Sequence, residues 1–379
     1  MMATPTTNMS VSHLHPTGSL AIADHRLPSG KEEVWRFTPV MDLIDMFDPN
    51  TERGHLAPAV GGQSGITLGR LAVGQGPRGD ALLPVDRAAA IAAQVDSADY
   101  LLIDQAVAAP IQLDITGHGI DQPTADHLVI EAKPYSSATV VLHYRGHARH
   151  IGNVEVIVGE SAQLTVVSIQ EWDRPAVHLG QHEALIGPGS NYRHITVSLG
   201  GDLVRLTNNV SYAGVGGEAQ MLGVYFAQAG QHLEHRLFVD HNHPRGVSHV
   251  DYRGALQDRN SRSVWVGDVL IRPEAVGIET YEANKNLVLT DGCRVHAVPN
   301  LEIETGDIIG AGHSASTGRF DEEQLFYLMS RGISEAEARR LVVHGFFAAI
   351  LNRISLPDVA ETLMNRIDQE LAFDKEIQS

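Results

Sequence analysis

This 379-residue sequence predicts a mainly β protein built round a β-solenoid, and three observations carry that reading. From about Asp126 to Thr317 the chain runs in short segments that alternate apolar and polar residues, as in Val154-Glu155-Val156-Ile157-Val158 and Ser263-Val264-Trp265-Val266. Such period-2 alternation gives each strand one buried and one outward set of side chains, and no apolar helical repeat of comparable length interrupts it. Gly254, Gly267, Gly277, Gly292, Gly306 and Gly318 recur at steps of 10 to 15 residues, the rhythm of evenly sized strands and turns. The hairpin dipeptides Asn-Gly and Asp-Gly are missing from this stretch apart from Asp291-Gly292, which favours stacked coils over hairpins.

Residues 1–30 hold Pro16, Gly18, Pro28 and Gly30 with little periodicity and read as a mobile arm. Residues 31–125 read as a mixed α/β region. Ser29 and Glu32 form an S-x-x-E cap ahead of Val34, Trp35 and Phe37, and Pro39 limits that helix to a short piece. Asp42–Phe47 suggests a second short helix, and Asp86–Asp96 an Ala-rich one. Residues 126–317 are the β core, and residues 318–379 a helical subdomain. There Asp321, Glu322 and Glu323 suit a helix N-terminus, with Leu325, Phe326, Leu328 and Met329 as its apolar face and Gly332 as its stop. Ser334 and Glu337 cap a second helix. Pro357 opens a third whose Val359, Leu363, Ile367 and Leu371, four apart, seek either the solenoid end or another protein.

Composition narrows the function. The 46 acidic residues outnumber 28 basic ones, a formal charge of −18, which opposes binding to nucleic acid or to an anionic membrane. No segment reaches the roughly 18 apolar residues of a membrane span, and Met1–Ser12 lacks the basic and apolar parts of a secretory signal. A single cysteine, Cys293, rules out an intrachain disulfide. A cytoplasmic protein is expected.

Three clusters carry candidate chemistry. His232, His235, His241, His243 and His249 resemble a histidine metal site. Strand alternation, however, places His232 and His235 on opposite faces, so they cannot chelate one ion. Cys293 and His296 are likewise three apart, which argues against a Cys/His nucleophilic pair, and Cys293 reads as a small buried hydrophobe. His313 stands among small residues in Gly310-Ala311-Gly312-His313-Ser314-Ala315-Ser316-Thr317-Gly318. Spacing alone leaves two readings: a turn histidine facing solvent, or a ring left open to an approaching group. Walker-type and nucleophile-elbow glycine motifs are not found.

Several stretches are similar to the SufB/SufD family of iron–sulfur cluster assembly scaffolds, and to its SufD branch in particular. They are Glu33-Val34-Trp35-Arg36-Phe37-Thr38-Pro39, Arg272-Pro273-Glu274-Ala275, Glu279-Thr280-Tyr281-Glu282, Val298-Pro299-Asn300-Leu301-Glu302-Ile303, and the long run from Gly312 to Ile333. The resemblance covers residues from about 30 to 350. It implies a right-handed parallel β-helix with a C-terminal helical part, a SufB-type partner subunit, and docking of a SufC-type ATPase on the helices. It also implies a transient iron–sulfur cluster at the partner interface, with no cofactor bound permanently, and it matches the family's interface histidine to His313. The sulfur-accepting cysteine of SufB falls at Asn284 here, and a cysteine often found two residues before the histidine is Ala311. The resemblance therefore implies a non-catalytic subunit lending one imidazole to a site whose thiol belongs to the partner. Homodimerisation of the chain alone stays open. Two competing classes are a cupin-like histidine-metal β-barrel and a β-helix enzyme acting on polysaccharide, with Glu302/Glu304 or Asp240/Asp251 as its carboxylate pair.

Overall fold

The computed structural model describes residues 18–61, 64–320, 322–353 and 357–377. It is mainly β, a parallel solenoid of about eight turns with helices after it. The described strands form two nine-stranded sheets, and from Ser97 onward successive strands fall alternately in one and the other. Each strand pairs in parallel with the strand one coil later. Val177 lies beside Leu203, 26 positions on, and Val247 beside Glu279, 32 positions on. The glycine rhythm in the sequence is thus close to half a coil. Antiparallel pairing is confined to the start, where Ala59–Val60 meets Ile111–His118 and Ile66–Ala72 meets Ser97–Ile103. Parallel pairing begins with Asp99 beside Leu128. Asp291-Gly292 does not make a hairpin. It turns the corner between sheets, with Gly292 at φ +88°, a left-handed backbone that suits glycine.

Parallel sheets need cover on both faces because every strand is apolar on both. The inner faces enclose one core in which Tyr144, Trp172, Tyr192, Tyr212, Tyr225, Tyr252 and Trp265 are buried. Polar tips find partners: Tyr225 Oη donates to Asn286 Oδ1 at 2.6 Å, and Tyr212 Oη to the Val247 carbonyl at 3.0 Å.

Each outer face is covered by a different end of the chain. Over the sheet that ends in Arg294–Ile303 lie Trp35, the 3-10 turn Val40–Phe47 and helix α1 (Arg87–Ala93), packed on Ile151, Leu179 and Leu203. Asp86 caps α1 by accepting the Ala89 N–H at 3.0 Å. Residues 1–17 of the expected mobile arm lie outside the described residues. From Ser19 the chain is tied down, with its N–H on the Pro84 carbonyl and Arg87 on the carbonyls of Ile22 and His25.

The other sheet's outer face is covered by α3 (Glu335–Leu351) and α4 (Pro357–Ile377), reached through α2 (Glu322–Ser330). Val343, Phe347, Ile350 and Ile367 pack on Val167, Ile195, Val197, Leu222 and Phe226. Fully burying each such side chain contributes about 1.5–3 kcal/mol. The α4 stripe, expected at the solenoid end or on another protein, instead meets the flank of a sheet, whose apolar outer face would otherwise be bare. The side chains of its Val359 and Leu363 lie outside the described ones, as does Asp321 of the expected acidic N-terminus of α2. The α2 face is not absorbed either: Leu325 is buried, but Phe326 is 74% exposed and Tyr327 and Met329 also face solvent.

Candidate functional site

The site lies in the last coil, formed by strands Ile278–Val288, Arg294–Ile303 and Ile308–Arg319. The two final strands each pair on one side only among the described residues, so the solenoid ends in two open edges. His313 sits on the second of them. It belongs to a strand rather than a turn.

A single irregularity decides which way His313 faces. Ile308 pairs with Ile278, but the next pair is Gly310 with Glu279, so Ile309 is an extra, bulged residue and is 72% exposed. Side chains alternate, and inserting one residue swaps every later side chain to the other face. Ile308 and Ala311 both pack inward on the core although they are three apart. His313 therefore lies opposite inward-facing Glu282, with its ring 42% exposed at the terminal coil. Small residues flank it for a steric reason: a side chain on Gly312 would press on the Tyr281 ring.

Beneath His313 is Glu282, 1% exposed, with Oε1 3.7 Å from His313 Nδ1. Neither carboxyl oxygen of Glu282 makes a hydrogen bond of good geometry, the Asn300 backbone N–H being a nearby donor. Burial, reinforced by the charge of Asp268, pushes this carboxyl up to about 8 against the opposing pull of the Asn300 backbone N–H. The fold reserves its space, since a side chain on Gly267 would collide with Glu282 Oε2 and the Trp265 ring. On the same inward row are Thr280 and the buried Asn284 and Asn286. Asn284 donates to Tyr225 Oη at 3.1 Å and to the Tyr252 carbonyl at 3.3 Å. It is a structural amide at the position where the resemblance places the partner's cysteine. Ala311 offers no ligand.

The histidine-rich strand His232–His241 divides as alternation requires. His235 and His241 point inward and stack on Tyr225 and Tyr212, and burial pushes both down to about 3, so they are neutral core residues. His232 points outward to Glu234 at 3.0 Å. His249 lies on the other sheet beside Arg353. Cys293 Sγ contacts the carbonyls of Thr290 and Asp258, while the His296 ring packs at a tilt on Phe37 outside the solenoid.

The competing architectures fare differently. A cupin-type barrel of antiparallel strands is overturned by the parallel register. Asp240 and Asp251 occupy different sheets, where each is paired with arginine, Asp240 with Arg272 and Asp251 with Arg253 and Arg353, so they cannot flank one glycosidic bond. No described helix is long and apolar enough to cross a membrane.

Sequence reasoning singled out His313 but not its partner. Glu282 sat inside a matched stretch without a role. The available signal was a carboxylate on the inward phase of an otherwise buried strand, a placement that is rare without a purpose.

Comparison with known proteins agrees with this geometry. The family described as "SUF system FeS cluster assembly, SufBD core domain" matches residues 115–346. An iron-sulfur cluster assembly SufBD family protein of Mycobacterium leprae is 47% identical over 357 residues, covering 92% of this chain and 91% of that protein. Its counterpart in Mycobacterium tuberculosis strain H37Rv is 46% identical over 355 residues, covering 91% and 89%. The iron-sulfur cluster assembly protein SufD of Bacillus subtilis is 28% identical over 293 residues, covering 74% and 65%. With a sequence match over most of its length to these proteins, and a parallel solenoid that agrees with it, the chain belongs to the SufB/SufD family of iron–sulfur cluster assembly proteins.

Proposed function

We propose that this chain is a SufD-type, non-catalytic scaffold subunit. It pairs through the open end of the solenoid with a SufB-type homologue and lends His313 to a shared site where an iron–sulfur cluster is built as cargo. The supporting observation is that His313 stands half-exposed on a terminal strand with a free edge. A neutral imidazole is a suitable ligand for iron, and sulfide delivery needs a thiolate. This chain has one cysteine, turned toward backbone carbonyls. The thiol chemistry is therefore assigned to the partner, and the cluster has no permanent place on this subunit alone. The same free edges would accept a second copy of the chain when the partner is missing.

The SufC-type ATPase docks on the helical subdomain. Phe326, Tyr327 and Met329 are exposed apolar groups on α2, which contacts α3, and α3 and α4 grip the sheet through Phe347 and Ile367. A pull on α2 during ATP turnover is thereby passed to the solenoid.

The test is His313→Ala in the complete three-protein complex. The ring is 42% exposed at the terminal coil, so the complex is expected to assemble and melt as wild type while cluster accumulation falls at least tenfold. Undiminished cluster formation would sink the assignment.

A further inference from the structure

We propose that Glu282 is the positioning residue for His313: in its ionised form the carboxyl accepts the Nδ1 hydrogen of the imidazole and so presents the Nε2 lone pair to the partner interface. This rests on the scaffold reading above and extends it to a residue that reading did not include.

Three observations converge on Glu282. It is 1% exposed and neither oxygen makes a hydrogen bond of good geometry, an arrangement that costs free energy unless the group serves something. Gly267 leaves out the side chain that would occupy the carboxyl's volume. A polar atom beside it on the neighbouring strand is His313 Nδ1, at 3.7 Å, brought there by the Ile309 bulge. That separation exceeds a hydrogen bond by a few tenths of an ångström. A modest rotation of the half-exposed ring closes it, and such contacts tighten when a ligand arrives.

The chemistry is that of a carboxylate behind a metal-binding imidazole. A neutral imidazole carries one N–H, and whichever nitrogen donates leaves the other free to ligate. Carboxylate partners of this kind fix the tautomer and ring orientation, and removing them typically weakens metal affinity 10–100-fold. With Nδ1 turned into the coil, only Nε2 can reach a cluster growing between subunits. Direct ligation by Glu282 is disfavoured because its carboxyl is buried against Gly267, near the Trp265 ring.

The experiment uses the full chain with 15N-labelled histidine at pH 9, where long-range 15N–1H correlations report the tautomer of each ring. The His313 signals are assigned by their loss in His313→Ala. Wild type is expected to show the Nδ1–H form. Glu282→Ala is expected to revert to the Nε2–H form that predominates in water. Glu282→Gln, whose amide oxygen can still accept, is expected to restore Nδ1–H. A wild-type ring already in the Nε2–H form, or one unmoved by Glu282→Ala, would overturn the proposal. In the complete complex, competition with a chelator should show ferrous-ion binding 10–100-fold weaker for Glu282→Ala, with assembly unchanged. A tautomer switch alongside normal cluster formation in His313→Ala would leave the positioning intact and reject the scaffold site, so the two ideas fail separately.

Discussion

Glu234→Ala is expected to be the most destabilising single substitution in the N-terminal half of the interface between chain ends and solenoid, at about 3–5 kcal/mol. Glu234 is wholly buried and accepts from Thr38 Oγ1 at 2.8 Å, His232 Nε2 at 3.0 Å and Arg236 Nε at 2.8 Å, with Arg205 Nε at 3.4 Å. Burial alone would push its carboxyl up. The hydrogen bond from His232 and the charges of Arg205 and Arg236 prevail and hold it well below the usual carboxylate range. A carboxyl depressed in the folded state stabilises above its unfolded value and loses that contribution only as pH falls through the folded one. The stabilisation is therefore expected to survive to mildly acidic pH. Removing the carboxylate takes the anionic partner from the buried Arg236 and one of two from the buried Arg205. Arg205 also bonds Asp86 and the Val34 carbonyl and lies 3.9 Å over the Trp35 ring, so the whole N-terminal cover loosens. Denaturant unfolding should show the loss. A change below about 1 kcal/mol would contradict the reading, since that is the scale of an ordinary surface pair.

Gly254→Ala is expected to cost about 3 kcal/mol, at the upper end for overpacking. The added methyl would fall inside the Tyr225 ring. That ring cannot yield, because its hydroxyl is held by Asn286 and Asn284 and its face stacks on His235 at a centroid distance of 4.9 Å. Gly223 stands in the same relation to Tyr252. Gly306→Ala is the control: nothing lies within contact of its added methyl, so its midpoint should stay near wild type. Equal effects at the two positions would show that ring packing against glycine does not set the coil spacing.

The solenoid was legible because period-2 alternation and half-coil glycine spacing are local signals that its register preserves. The even alternation of Ile111-Gln112-Leu113-Asp114-Ile115 is as clean as any later strand. It was obscured by the glycine-rich stretch and α1 that precede it. The covering of the sheets was not legible. Nothing in the sequence of α4 says whether its stripe meets a sheet flank, a solenoid end or another protein. The orientation of His313 was hidden for a sharper reason. It depends on one bulged residue, Ile309, and alternation counted through Gly310-Ala311-Gly312 gives no sign of the insertion. At the histidine-rich strand, alternation separates His232 from His235, and the inward and outward split of these two residues agrees with it. Glu282 gained meaning only when the register set it opposite His313.

The proposed role of His313 depends most on the partner meeting the terminal coil. A photo-crosslinking amino acid replacing Ile309, 72% exposed on the last strand, can be compared with one replacing Tyr135, 73% exposed on a turn near the start of the solenoid. In the complex co-expressed with SufB-type and SufC-type proteins, irradiation should join position 309 to the cysteine-bearing homologue and leave position 135 unlinked. Linkage to that homologue from position 135 and not from 309 would place the docking face, and with it the cluster, away from His313.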